Sequence, residues 1–222
     1  IDAFERVETV FDELHLSTAK LLELGSDWFA AYPEPKPDSF GYRNQTYDLE
    51  FHCEKCGTGM RQKGPFLMKK APKWGKRSIC HLHWVVGEFF VNDFFVKEVA
   101  EPFGISTTPV LNLRNEELAD IHQLVVDNEV EINTAHLTGN ECSACGVMKY
   151  MPDWVGMFPS VQSETLTPIA RTRQYFGDGG SAWQAVVVSH EMFVAMTKLR
   201  IKGVTFRPAA NHGQPAVRMK RD

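Results

Sequence analysis

The residues of this chain best suited to chemistry lie in two short stretches, Cys53-Glu54-Lys55-Cys56-Gly57 and Cys142-Ser143-Ala144-Cys145-Gly146. Each is a C-x-x-C followed at once by glycine. That spacing lets two thiolates sit on one tight turn and point at the same metal, and the glycine takes the positive-φ position that turns backbone N–H groups toward the sulfurs. Two such knuckles supply four sulfurs, the closed tetrahedral set of a structural Zn²⁺. The separation between them is no obstacle, because loop-closure cost grows only logarithmically with length. The expected site is therefore Cys53, Cys56, Cys142 and Cys145 around one zinc ion that clips two parts of the chain together.

A competing ligand set is local. Cys80 and His83 form a C-x-x-H, giving Cys53-x2-Cys56-x23-Cys80-x2-His83, which would leave the second C-x-x-C half-filled. If the segment around residue 80 is a strand, residues 80 and 83 also point to opposite faces. Cys80 then reads as a small buried hydrophobe. Enzyme readings fit less well. His52-Cys53-Glu54 matches the H-x-E of zinc deaminases only inside a knuckle, and Cys142 lacks the preceding proline of that signature. A thioredoxin-type dithiol needs its C-x-x-C at a helix N-terminus. Four-sulfur zinc has no open position for catalysis, and no nucleophile–base pair stands out. The chain reads as a non-enzyme.

The elements that must position the cysteines read as α+β. Residues 3–24 have the stripe of an amphipathic helix (Phe4, Val7, Phe11, Leu14, Leu21, Leu22), with Gly25 as a stop. Pro33, Pro35 and Pro37 then mark a linker, so residues 1–37 form an N-terminal segment ahead of a zinc-clipped domain over 38–222. Residues 47–52 read as a strand leading into the first knuckle, 79–91 as strand material, 115–126 as a helix and 129–132 as a short strand. The stretch 151–166, with Trp154, is aromatic and proline-punctuated, and residues 176–180 form a turn before a strand at 183–188.

Two of these passages match. Val91-Asn92 is followed by Phe95, Val96 and Val99, then Gly104-Ile105 and Pro109; Val188-Ser189 is followed by Met192, Phe193 and Met196, then Gly203-Val204 and Pro208. Each reads as a buried strand, an Asn or Ser N-cap, a helix, a glycine stop and a second strand. Each also follows a C-x-x-C-G. The expectation is two similar halves, about 38–135 and 136–222, each a zinc knuckle plus strand–helix–strand.

Composition bounds the rest. At 222 residues with 43% hydrophobic and 23% charged residues the chain has the make-up of a globular protein with ample core, and no apolar run reaches the length of a membrane span. Five cysteines, four of them in C-x-x-C pairs, fit a reducing, cytoplasmic setting better than a disulfide scaffold. Residue 1 is Ile rather than Met, so the natural start is expected upstream, with room for a removed leader. The net charge of −4 is segregated. Lys55, Arg61, Lys63, Lys69, Lys70, Lys73, Lys76 and Arg77 have no acid among them, whereas residues 88–141 hold eleven acids against Lys97 and Arg114, and the tail from Lys198 is basic again.

The two C-x-x-C-G motifs, with Cys53, Cys56, Gly57, Cys142, Cys145 and Gly146, together with the ending from Trp183 to Pro208, resemble the double-CXXCG motif proteins, a paralogous set in myxobacteria associated with immunity to polymorphic toxins. The resemblance covers about half of the chain. It implies a non-enzymatic zinc protein that binds a protein partner, with a toxin as the expected one and the acidic segment 88–141 as a face for a basic toxin domain. The alternative is a zinc-ribbon-like nucleic-acid-binding protein, using the basic stretch 55–77 on phosphates and Phe66 and Trp74 as stacking platforms.

Overall fold

A computed structural model of the chain describes residues 10–35, 40–153, 155–162 and 167–211. In order, the elements are α1 (Glu13–Thr18), β1 (Leu21–Ser26), α2 (Gly41–Thr46), β2 (Tyr47–Asp48), β3 (Arg61–Gln62), β4 (Ile79–Leu82), β5 (Val85–Val91), α3 (Asp93–Phe95, running on into a π-helical turn at Val96–Ala100), β6 (Thr107–Leu111) and β7 (Glu117–Leu124). Then come β8 (Glu129–Val130), β9 (Gly139–Glu141), β10 (Met148–Tyr150), β11 (Ile169–Phe176), β12 (Trp183–Ser189), α4 (His190–Lys198) and β13 (Val204–Pro208). The protein is α+β, with few and short helices.

Two main sheets face each other. One has the order β4-β5-β7-β6; the other has seven strands, β13-β1-β12-β11-β10-β9 with β8 also on β11. In the first, β5 and β6 are both antiparallel to β7, so α3 joins two parallel strands across a third. In the second, β12 and β13 are both antiparallel to β1, and α4 makes the same crossover. The caps read from the sequence are present: the Asn92 side chain accepts from the Phe95 N–H at 3.0 Å and Ser189 from the Met192 N–H at 3.2 Å. Gly104, at positive φ, stops the first helix, but the glycine expected to stop α4 is corrected: that helix closes at Leu199 and Arg200, the latter at φ +54°, and Gly203 lies beyond its end.

The layering follows from side-chain alternation. Along β5, Phe89 and Val91 face the core shared with the second sheet, while Phe90 faces a separate cluster with Phe66, Trp74 and Cys80. Along β12, Val186 and Val188 join the shared core and Ala185 and Val187 a third cluster around Phe158 and Phe176. Strands covered on both faces need near-continuous apolar runs, which Val186-Val187-Val188 provides.

Two expected helices are corrected. Within 3–24 only α1 is helical; residues 3–9 lie outside the described residues, and 21–26 is the strand β1. Leu22 and Leu24 are both buried, two residues apart, and β1 lies between β12 and β13. Leu14, expected on the apolar stripe, is exposed. Residues 115–126 contain β7, because Asn112 to Glu116 close a tight turn, with Asn115 at φ +62°, that folds the chain back on β6. The expected strand over 47–52 is only Tyr47–Asp48. Pro37 and Trp154 and the tail beyond 211 lie outside the described residues.

Candidate metal centre

The two knuckles are built alike. In the first, the Gly57 N–H donates to the Cys53 carbonyl at 2.7 Å and the Cys53 N–H to the Thr58 carbonyl at 2.9 Å. In the second, Gly146 donates to Cys142 at 2.8 Å and Cys142 to Val147 at 3.0 Å. Gly57 has φ +81° and Gly146 +72°, the left-handed conformation that closes such a turn and that glycine takes without penalty. The first knuckle lies between β2 and β3, the second in the turn between β9 and β10.

The fold brings them face to face. The sulfurs of Cys53, Cys56, Cys142 and Cys145 all lie within 4.8 Å of one another. Across the two knuckles, Cys53 Sγ is 3.8 Å from Cys142 Sγ and Cys56 Sγ is 3.6 Å from Cys145 Sγ, each pair 89 residues apart in the chain. None of the four is in a disulfide. A tetrahedral ion with metal–sulfur bonds of about 2.3 Å needs sulfurs about 3.8 Å apart, so this cluster can hold a metal ion. Cys56 and Cys142 are buried, Cys53 is partly so and Cys145 is at the surface.

The thiols do not share charge evenly. Backbone N–H groups of Ala144 and Cys145 hold Cys142 down to about 6. Against the pull of the Val147 N–H, desolvation and the sulfurs of Cys56, Cys53 and Cys142 push Cys145 up to about 11. Thiolates crowded this closely repel, and a bound cation removes the conflict by stabilising all four charges at once.

Two supports were not singled out from the sequence. Lys149, on β10, is buried, and its ammonium donates to the carbonyls of Cys56 and Ser181, both at 2.9 Å, and of Gly179. It thus ties the second knuckle's hairpin to the backbone of the first knuckle and to the 176–180 turn. Thr58 is buried, with its hydroxyl 3.1 Å from Cys56 Sγ. Gly57 rests on that same turn so closely that a Cβ there would lie 2.3 Å from the Gly180 carbonyl oxygen. The only sequence signal for these contacts was the glycine cluster at 177–180.

Among the described residues, Cys80 and His83 do not join the four cysteines. Cys80 is fully buried on β4, and burial pushes its thiol up to about 12. The His83 ring instead stacks on Tyr32 at 4.4 Å. The expected stackers of the nucleic-acid alternative are also corrected: Phe66 is inside the core, and Trp74 is buried with its indole N–H donating to the Asp120 carbonyl at 2.7 Å. All eight basic residues of 55–77 are exposed. No described helix is long and apolar enough to cross a membrane. No protein-family model matches the chain, and no curated protein matches its sequence.

Proposed function

We propose that the metal is zinc, that its role is structural, and that the protein acts by binding another protein. The observation that carries the reading is the meeting of four free thiols from two knuckles at tetrahedral spacing. All-thiolate ligation suits zinc, and four protein ligands leave no position for a substrate. Activity then belongs to the surfaces the clasp holds in place. The matching orders β4-β5-β7-β6 and β11-β12-β1-β13, each with a capped crossover helix, support two related halves joined by that clasp.

Charge supports a protein partner. Among the acids of 88–141, all but Glu88 and Glu98 are exposed, with Glu117 and Asp120 on β7, Glu116 in the turn before it and Asp127, Glu129 and Glu131 just beyond it. Such a face accelerates association with a basic partner. Together with the double-CXXCG resemblance, this makes a basic polymorphic toxin domain the expected partner and immunity the expected role. The test is affinity capture from the native organism with the zinc-loaded chain, alongside the triple variant Glu116→Lys, Glu117→Lys, Asp120→Lys. A basic protein encoded at a neighbouring locus, retained by the parent chain and lost from the variant, is the expected result. Retention of no such protein, or equal retention by both chains, contradicts the reading.

A further inference from the structure

The turn joining β4 to β5 holds a residue that folding alone does not explain. Trp84 sits at φ +68°, where a bulky side chain is disfavoured and glycine is the usual occupant, yet the residue is 47% exposed, about half in solvent. The Tyr42 hydroxyl donates to its carbonyl at 3.1 Å and fixes the turn. Backbone strain of this kind clusters at functional sites, and contiguous exposed apolar surface marks interaction sites.

Trp84 is the end of a short ladder of rings. The Tyr32 ring lies 4.8 Å from it and stacks on His83, and Phe29 lies 6.0 Å from His83. Tyr32 and Phe29 are exposed as well. Positive charge flanks the ladder. Arg43 lines the same small cavity, about 90 Å³, as Trp84. Two residues beyond Tyr32, Glu34 is buried and 3.8 Å from the exposed Lys69, whose neighbour Lys70 is exposed too. Glu88, on the wall of the same cavity, is engaged by Arg171 at 3.3 Å. The half-buried Arg43, whose guanidinium lies over Phe40, and the exposed Lys69 and Lys70 thus put cations on the Trp84 and Tyr32 side of the ladder, while the exposed acid Asp27 lies two residues before Phe29 at its other end.

Flat rings select a ligand with flat apolar faces, and flanking cations select an anionic one. We propose that this patch binds single-stranded nucleic acid, with bases against Trp84 and Tyr32 and phosphates toward Arg43, Lys69 and Lys70. Duplexes keep their base faces inside the stack, so the patch discriminates against them. The site is distinct from the acidic face and uses none of the buried aromatic residues of the basic stretch.

The test is fluorescence anisotropy of the zinc-loaded protein with a fluorescein-labelled oligothymidylate, at low and at physiological salt, with the matching duplex as a second probe. The expected result is binding at low salt that weakens as salt rises, preference for the single strand, and quenching of tryptophan emission. Trp84→Gly should bind about tenfold more weakly, the loss of one stacked base, show less quenching, and melt at the same or a higher temperature because the turn is relieved. Lys69→Glu should weaken binding and flatten its salt dependence. Flat anisotropy at low salt overturns the proposal and leaves the patch to protein contacts. Equal binding of strand and duplex, or parent-like binding by Trp84→Gly, overturns it as well, since charge alone would then account for the affinity.

Discussion

Gly57 and Gly146 occupy equivalent places in their knuckles, yet the structure gives them different burdens. Both have positive φ, so an alanine at either costs about 1 kcal/mol or more in backbone energy. At Gly146 the nearest atom to an added Cβ is a glutamate side-chain oxygen 3.8 Å away, so Gly146→Ala should cost little beyond that. At Gly57 the Cβ would meet the Gly180 carbonyl oxygen, and the turn at 176–180 would have to move. Gly57→Ala should therefore lose about 2–4 kcal/mol in denaturant unfolding of the zinc-loaded protein, clearly more than Gly146→Ala; equal losses would show that the knuckle does not rest on that turn. The four cysteines and the two glycines were legible in the sequence because a knuckle is local: spacing alone defines it. Lys149 and Thr58 were not, because their partners, three carbonyls and a sulfur, have no signature in a residue string.

Among the elements, the same contrast holds. The capped helices after Asn92 and Ser189 and the strands around them were readable from side-chain type within about twenty residues. β1 was not, because Leu21 to Leu24 fit a helical stripe equally well, and the decision is made by β12 and β13 at the other end of the chain. The Asn112–Glu116 turn that makes β7 a strand depends on Asn115 at positive φ, which asparagine tolerates but does not announce. β4 offers a test of its burial. His81 is buried between Phe29 and Phe89 and bonds the Glu88 carbonyl at 2.9 Å through Nδ1; desolvation, partly offset by that bond, holds its pKa below the ordinary value of about 6.5. The unfolded chain therefore takes up this proton first as pH falls. The contribution is present above about pH 6.5 and is lost on acidification through that value. Melting temperature followed from neutral to mildly acid pH should fall less steeply in His81→Gln than in the parent chain. Parallel slopes would mean that the imidazole gains its proton as readily folded as unfolded. Comparing the two chains separates His81 from the thiols, which are common to both.

On the scale of the whole molecule, the two main sheets share the core around Phe95, Val99, Met192 and Met196, the Glu88–Arg171 pair joins β5 to β11, and the cysteine cluster with Lys149 beside it ties the β2–β3 connection to the β9–β10 hairpin. Only the last was visible beforehand, and it was visible as a pairing of distant motifs, without the strand orders that carry it. Metal binding at such a cluster is folding free energy, because the unfolded chain has no preformed site. The measurement that bears most directly on this is metal content by elemental analysis, with thermal melting, for the parent chain, Cys142→Ser and Cys80→Ala. One zinc per chain in the parent, retained in Cys80→Ala and lost in Cys142→Ser together with a large drop in melting temperature, is the expected outcome. Zinc retained at full stoichiometry in Cys142→Ser with an unchanged melting temperature would contradict the four-cysteine clasp.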